Sequence, residues 1–306
     1  MWEKLKKPDF FIVGAPKCGT TAMNDYLRQH PEIFIPDAKE LHFFGSDLNF
    51  RRQRITLEQY LSYFSGVQNE KRIGESSVWY LYSKVAATEI KEFCPSARII
   101  IMLRNPVDML YSLHSQHLFN GREDIEDFGD AMEAEVDRKN GIRIPKGKFL
   151  IEGLFYREVA KYTTQVQRYL NIFGKEKVHI IIFDDFKNNT DDVFRETLRF
   201  LEVDESFQPD FRVINPNKRL CSKALKELIQ EPPWTVRGLV KTLLPRQFRR
   251  KLQKSLMRLN VRYERRQPMD PELRRKLQAE FVQEIKQLSI LLGRNLICWK
   301  FNEAML

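Results

Sequence analysis

Three uninterrupted apolar runs constrain the fold of this 306-residue chain more than any other feature. They are DFFIVG (9–14), SARIIIMLRNP (96–106) and KVHIIIFDDF (177–186), and RIGESS (72–77) is a weaker fourth. Continuous apolar runs of this length are typical of parallel strands that are covered on both faces of a sheet. Because a helical pattern follows each strong run, the sequence predicts a single α/β domain with a central parallel sheet flanked by helices.

The segments that follow these runs have the periodicity of amphipathic helices. TTAMNDYLRQH (20–30) precedes a proline, PVDMLYSLHSQHL (106–118) opens with one, and the long segment 155–174 ends at a glycine. Proline is tolerated in a first helical turn, and glycine is common where helices end. We expect residues 1–230 to form the α/β core and residues 231–306 to form a basic helical extension that packs on it.

Most of the net charge of +10 comes from residues 241–266, which contain ten Lys or Arg and one Glu. A basic chain favours an anionic partner, such as a nucleotide, an acidic polymer, nucleic acid or a membrane surface, and composition does not rank these. Apolar residues recur in this block at helical spacing, which is the pattern of a packed helix with a solvated cationic face. Peripheral contact with an anionic membrane or a glycan is the alternative interpretation.

Cysteine usage and hydropathy narrow the class of protein further. The four cysteines are far apart and form no CxxC pair, which argues against a disulfide framework or a zinc site and is consistent with reduced thiols. No apolar run approaches the roughly 20 residues of a membrane helix, and the first residues lack the pattern of a signal peptide. We therefore expect a cytoplasmic protein without a signal peptide or a transmembrane helix, and bacterial origin is favoured. A Golgi catalytic domain without its membrane anchor is the alternative.

The turn after the first apolar run has the composition of a phosphate-binding loop. GAPKCGTT places Gly14, Lys17 and Gly19 between a buried strand and a helix, where backbone N–H groups and the helix dipole attract an anion. The hydroxyls of Thr20 and Thr21 add further donors. A Walker loop has lysine directly after its second glycine, whereas here Thr20 follows Gly19 and the lysine lies inside the turn. That position suits a donor with one 5′-phosphate and a transferable group beyond it.

This loop resembles the 5′-phosphosulfate-binding loop of sulfotransferases that use 3′-phosphoadenosine 5′-phosphosulfate (PAPS). The stretch MLRNPVDMLYSLH, with Arg104 at a strand end and Ser112 eight residues later, resembles the 3′-phosphate-binding segment of that family. Arginine offers phosphate a bidentate fork, and a serine two helical turns on returns to the same side. The resemblance extends over residues 8–220, and GRNLICW near the end is similar to a common C-terminal pattern. It implies the P-loop nucleotide-kinase-like fold of sulfotransferases, with the donor at the carboxyl ends of the strands.

The resemblance also implies a set of residues that bind the donor PAPS and its product 3′-phosphoadenosine 5′-phosphate (PAP). They are Gly14, Lys17, Cys18, Gly19, Thr20, Thr21, Arg104, Ser112, Lys218 and Arg219. The last two lie in NPNKRLCSKAL (215–225), where related enzymes have a basic loop over the nucleotide, although the glycine-rich form of that loop is absent here. Because a sulfuryl group carries less charge than a phosphoryl group, we expect no metal requirement.

KELHFF (39–44) resembles the KE-x-HFF stretch of the heparan-sulfate sulfotransferase branch. In that branch the glutamate is the general base that deprotonates the acceptor hydroxyl, and the matching residue is Glu40. His42 would support it by a hydrogen bond, with Lys39 beside the site. A hydroxyl needs deprotonation as it attacks sulfur, and Lys17 would stabilise charge on the leaving phosphate oxygen. His42 is the alternative base, because many small-molecule sulfotransferases use histidine.

Two other functions stay open at this point. HIIIFDD places Asp184 after an apolar strand, where a kinase or NTPase has a magnesium-binding acid, although the Walker lysine is missing. A non-catalytic protein that binds nucleic acid or an acidic glycan through residues 241–266 is the other alternative. For the sulfotransferase, we expect a carbohydrate hydroxyl as acceptor, with lipid, phenolic and carrier-bound acyl hydroxyls as alternatives, and no nucleic-acid partner.

Overall fold

The computed structural model describes residues 6–51, 53–212, 218–220, 248, 261–263, 266–296 and 299. The chain divides into two compact units, of which the first comprises Met1–Arg212 with Met269–Leu306 and the second Val213–Pro268. The boundary predicted at residue 230 and most of the basic block 241–266 lie outside the described residues.

A five-stranded parallel sheet forms the centre of the first unit, as the apolar runs predict, with the strand order β2-β3-β1-β4-β5. Its strands are β1 (Phe10–Gly14), β2 (Ile33–Phe34), β3 (Arg72–Ser76), β4 (Arg98–Leu103) and β5 (Val178–Ile182). Every residue of β1 and β4 is buried. Burial on both faces explains why these strands lack the alternation of a half-exposed strand.

Helices cover this sheet. In chain order they are α1 (Thr20–Leu27), α2 (Leu57–Ser62), α3 (Ala86–Phe93), α4 (Pro106–Asn120), α5 (Phe128–Glu133), α6 (Glu135–Lys139), α7 (Tyr156–Val159), α8 (Tyr162–Phe173), α9 (Phe183–Asn188), α10 (Thr190–Leu201) and α11 (Pro271–Leu292). Short 3-10 turns lie at Ile151–Leu154 and Lys175–Lys177. As predicted, α4 starts at a proline, and the side chain of Asn105 caps it by accepting from the amide of Val107.

The structure departs from the sequence expectations at two places. The predicted helix 155–174 is divided between α7 and α8, because the side-chain amide of Gln165 donates to the carbonyls of Glu158 and Val159 where α7 ends. The run 177–186 is a strand only as far as Ile182, where α9 begins. Two aspartates in the first turn of α9 favour a helix start, since negative charge is stabilised at helix N-termini.

Helix α11 belongs to the first unit and packs on α4 and α8 through one apolar stripe. The buried residues of this helix are Leu277, Phe281, Ile285 and Leu288. Polar contacts fix its position, since Arg274 donates to Asp108 at 2.7 Å at the start of α4. Glu284 accepts from both the amide and the hydroxyl of Thr163 at the start of α8.

In the second unit the structure describes a short antiparallel pair, β6 (Lys218–Leu220) and β7 (Val261–Tyr263). The backbone register places Lys218 opposite Tyr263 and Arg219 opposite Arg262. Within the described part of the chain, no helix combines the length and the apolar character that crossing a bilayer requires.

Candidate functional site

The candidate site lies at the carboxyl edge of the sheet, across three neighbouring strands. The loop that joins β1 to α1 lies at the centre of this edge, and Arg104 follows the adjacent strand β4. On the other side, the amide of Glu40 donates to the carbonyl of Ser76, at the end of β3. The parallel sheet therefore brings together segments that are far apart in sequence, at the edge where open α/β sheets bind ligands.

The two glycines of the loop are required by its path. At Gly14, with φ of 156°, a Cβ atom would lie 2.6 Å from the Cβ of Leu81. At Gly19, with φ of 90°, a Cβ atom would lie 3.0 Å from the ring of Phe183. Gly19 is the N-cap of α1, and among the described residues no side chain caps the amides of this helix. The start of α1 is therefore suited to an anion.

Two lysines contribute positive charge at this loop, Lys17 from inside it and Lys39 from a separate turn. The ammonium of Lys17 donates to Oε1 of Gln116 at 3.1 Å. The ammonium of Lys39 donates to Oγ1 of Thr21 at 3.0 Å and to that of Thr20 at 3.5 Å. Burial lowers the pKa of Lys39, and the nearby carboxylates oppose that shift. Cationic groups thus lie on two sides of the loop.

Of the predicted 3′-phosphate residues, Arg104 directly follows β4 and Ser112 lies on α4. The guanidinium of Arg104 stands over the ring of Phe183, 4.7 Å from its centroid. Ser112 is buried on α4, one helical turn before Gln116, so that these two residues share a helix face. The contact between Gln116 and Lys17 directs this face toward the loop. Sequence reasoning missed Gln116, although its spacing of four residues from Ser112 was a usable signal.

Cys18 is a packing residue of the loop. Its thiol is fully buried, donates to the carbonyl of Pro16 at 3.4 Å and lies 3.9 Å from the hydroxyl of Tyr162. Burial raises the pKa of this thiol to about 12. The thiol is therefore protonated at neutral pH, which argues against a nucleophilic role.

The candidate base lies in a turn held by specific contacts. Oε2 of Glu40 accepts from the amide of Val78 at 3.1 Å and lies 3.5 Å from Nε2 of His42. Its Oε1 lies 3.9 Å from the ammonium of Lys39. The side chain of Glu40 is 33% exposed, so an acceptor can reach it.

Backbone conformation marks the same residues as the motifs do. Six non-glycine residues in the described part of the chain have positive φ, and three of them are Lys17, Glu40 and His42. Left-handed conformations are costly for residues with a side chain and persist where surrounding contacts impose them. Such residues often lie at functional sites. The catalytic roles of these three stay a prediction.

A buried carboxyl group, that of Glu75, is connected to the turn of Glu40 and His42 through hydrogen bonds. Glu75, in β3, accepts from Oγ of Ser77 at 2.5 Å and from the hydroxyl of Tyr60 at 3.1 Å. Ser77 in turn accepts from the amide of His42 at 3.2 Å. Burial raises the pKa of Glu75 to about 7. Sequence reasoning did not identify Glu75, although an acid within a buried strand was a visible signal.

An open cavity of about 390 Å³ borders the same turn. His42 and Phe50 line it, and their rings are stacked with centroids 4.2 Å apart. Polar side chains, among them Asn49 and Gln53, form other parts of its wall. We refer to this space as the His42 cavity.

Three further residues that the sequence singled out have not been placed so far: Asp184, Lys218 and Arg219. Asp184, the acid of the kinase alternative, lies at the start of α9 and accepts from the indole N–H of Trp299 at 2.7 Å. Lys218 and Arg219 lie in β6 of the second unit, and their proposed contact with the donor stays a prediction. Over the residues that the structure describes, no group of three or more His, Cys, Asp or Glu side chains is arranged to hold a metal ion.

Comparisons with known proteins identify the family of this chain. The family model for the sulfotransferase domain matches residues 7–289. The structure is similar to that of a sulfotransferase from Alicyclobacillus acidocaldarius, with 29% identity and a TM-score of 0.73, covering 97% of this chain and 100% of the other.

Curated relatives include carbohydrate sulfotransferase 15 of Mus musculus, with 26% identity over 64% of this chain and 44% of the relative. The bifunctional heparan sulfate N-deacetylase/N-sulfotransferase 2 of Homo sapiens has 26% identity over 66% of this chain and 23% of the relative. The chain therefore spans less than half the length of these two curated relatives.

Proposed function

Because the chain belongs to the sulfotransferase domain family, we propose that it transfers a sulfuryl group from PAPS to a hydroxyl group of an acceptor. The observation that best supports this is the position of Lys39. Its ammonium bonds to the hydroxyls of Thr20 and Thr21 in the loop and lies 3.9 Å from Glu40. A loop suited to an anion and a carboxylate suited to a base are thereby joined at one cation.

The residues of the loop fit the donor's chemistry. The start of α1, the two threonine hydroxyls and Lys17 offer N–H, O–H and ammonium donors to a 5′-phosphosulfate. Arg104 would bind the 3′-phosphate as a bidentate partner, with Ser112 beside it. Gly14, Gly19 and Cys18 would contribute close packing and backbone amides, and Lys218 and Arg219 would cover the nucleotide.

Transfer requires one proton to leave the acceptor and one bond to break in the donor. Glu40 would accept the proton of the acceptor hydroxyl as the acceptor oxygen forms its bond to sulfur. The bond between sulfur and the bridging phosphate oxygen breaks, and its electron pair stays on that oxygen. Lys17 would stabilise the resulting negative charge. His42 would orient Glu40 through the contact of 3.5 Å.

We propose a carbohydrate hydroxyl as the acceptor group. The names of the curated relatives support this, as does the His42 cavity, in which an aromatic ring lies near amide side chains. Such a combination suits a sugar ring, because the ring offers apolar C–H faces and hydroxyls. A panel of a desulfated glycosaminoglycan, a glycolipid and a phenol, each incubated with PAPS labelled in sulfur, would identify the acceptor class.

Donor binding is the decisive test of the proposal. PAP without magnesium should raise the melting temperature, whereas Mg-ATP should not. Lys17→Ala should abolish the turnover of labelled PAPS. Lys91→Ala, at a lysine that donates to the carbonyl of Pro95, should leave both the turnover and the PAP-induced shift unchanged. Stabilisation by Mg-ATP alone would instead support the kinase alternative.

A further inference from the structure

The last described residue of the chain, Trp299, connects two segments that adjoin the proposed donor site. It is 2% exposed. Its indole N–H donates to Oδ2 of Asp184 at 2.7 Å, and its carbonyl accepts from the side-chain amide of Asn105 at 3.0 Å. One residue near the end of the chain thus bonds to the start of α9 and to the cap of α4.

Both partners of Trp299 are next in sequence to residues of the donor site. Asn105 follows Arg104, and Asp184 follows Phe183. The guanidinium of Arg104 stands 4.7 Å from the ring centroid of Phe183. Trp299 therefore holds the two backbone segments that carry the two members of this cation–π pair.

Phe183 also reaches the phosphate-binding loop. A Cβ atom at Gly19 would lie 3.0 Å from its ring, so this ring packs directly on the N-cap of α1. A displacement of Phe183 would alter the support of Arg104 on one side and of the loop on the other. Asp184, which is adjacent to it, is therefore an effective point of attachment.

A second contact fixes the same part of α9 to the C-terminal segment. Both terminal nitrogens of Arg294 donate to the carboxylate of Asp185, and the distance from Nη2 to Oδ1 is 2.7 Å. This pair is partly exposed, and exposed ion pairs contribute little. The bond from Trp299 to Asp184 is less exposed than this ion pair, because the indole that donates it is 2% exposed, and it is the stronger of the two attachments.

We propose that Trp299 is a positioning residue for recognition of the donor's 3′-phosphate, acting on Arg104 through Asp184 and Asn105. This rests on the proposed function, in which Arg104 binds that phosphate. A bidentate arginine binds well when its side chain is already held in the binding geometry, because less side-chain freedom is then lost on binding. The indole N–H and the tryptophan carbonyl hold the segments that set this geometry.

The test compares PAP with adenosine 5′-phosphate, which lacks the 3′-phosphate, by isothermal titration calorimetry. Trp299→Phe keeps an aromatic ring and removes the N–H donor. We expect it to weaken the affinity for PAP by about 5- to 10-fold, as the loss of one partly buried hydrogen bond would. The affinity for adenosine 5′-phosphate should change less than about twofold. Asp184→Leu should reproduce this effect and carries the test should Trp299→Phe fail to fold.

Two further variants separate positioning from general stability. Asp184→Asn keeps an oxygen that can accept from the indole, so we expect it to retain the preference for PAP. Tyr169→Phe removes a different buried aromatic donor, which bonds to the carbonyl of Tyr80 at 2.9 Å, and should leave the preference unchanged. Equal weakening of both nucleotides, or an unchanged preference in Trp299→Phe and Asp184→Leu, would overturn the inference. A wild-type protein without preference for PAP would overturn the proposed 3′-phosphate site itself.

Discussion

Two polar clusters of the first unit contain similar side chains and are held very differently. In the first, which we call the Glu123 cluster, Arg138 donates to both oxygens of Glu123 at 2.8 and 2.6 Å, and the hydroxyl of Tyr156 donates to one of them at 2.9 Å. The side chains of Arg138 and Glu123 are 0% exposed. In the second, the Glu40 cluster, the carboxylate is one-third exposed and lies 3.5 Å from His42.

Histidines beside the two clusters show the same contrast. His117, on the α4 side of the Glu123 cluster, is buried, and its Nε2 lies 3.1 Å from the carbonyl of Gly153. Burial lowers its pKa to about 3, so it stays neutral near pH 7. His42 instead lines a cavity and has a left-handed backbone. The Glu123 cluster, in which both carboxylate oxygens are hydrogen-bonded and buried, is suited to maintaining the fold. The Glu40 cluster is accessible at the strand ends and is suited to chemistry.

The largest expected effect belongs to the Glu40 cluster. Glu40→Gln should lower turnover by about 10²- to 10⁴-fold, because an amide cannot accept the proton of the acceptor. PAP affinity and melting temperature should stay close to those of the wild type, since the side chain is partly exposed and its shape is kept. Single-turnover kinetics with labelled PAPS measures the change, and Glu92→Gln on exposed surface is the control. An unchanged rate would move the base to another residue.

The Glu123 cluster should respond in stability and not in chemistry. Arg138→Met leaves the carboxylate of Glu123 buried without its cation, which costs about 3–5 kcal/mol in the free energy of unfolding. Urea denaturation measures this loss, and the folded variant should bind PAP as the wild type does. A loss below about 1 kcal/mol, or a selective loss of turnover, would contradict the division between the two clusters.

Glu75 is buried like the Glu123 cluster and is connected through Ser77 to His42 of the Glu40 cluster. Its pKa near 7 exceeds the ordinary value of 4.5, so the folded state binds this proton more tightly than the unfolded chain does. Ionisation of Glu75 therefore lowers the free energy of unfolding as pH rises from about 4.5 to about 7, and this effect is constant at higher pH. Glu75→Gln removes that dependence, and its stability relative to wild type should rise by up to about 3 kcal/mol between about pH 5 and about pH 8. Parallel thermal unfolding of both proteins measures the difference, and identical pH slopes would contradict it.

Much of the fold could be predicted because a buried strand appears in the sequence as a contiguous run of apolar residues. β1 has no polar side chain, β4 and β5 each contain one polar residue in an otherwise apolar run, and α4 begins with a proline. β2 has two residues and is too short to show any period. The break between α7 and α8 depends on a side-chain amide that bonds to backbone carbonyls, and such competition does not alter the apolar period.

The contiguous segments of the candidate site could be predicted one by one, and the family resemblance joined them, but contacts between distant residues could not be predicted. The loop from Gly14 to Thr21 is contiguous, and so is the turn that contains Glu40. Gln116 lies 99 positions from its partner Lys17, and Trp299 lies 115 from Asp184. These contacts arise from the order of the strands in the sheet, which periodicity does not encode.

The smallest expected effect distinguishes two roles within the Glu40 cluster itself. The distance of 3.5 Å between Nε2 of His42 and Oε2 of Glu40 is at the long end for a hydrogen bond, so His42→Gln should lower turnover by only about tenfold. If His42 were the base, His42→Gln would instead lower turnover by the 10²- to 10⁴-fold that removal of a general base costs. The double variant separates the two cases further. Residues that act through one proton transfer are not additive, so an orienting His42 should cost almost nothing once Glu40 has been replaced. A full additional tenfold loss in the double variant would show that His42 acts on the acceptor independently of Glu40.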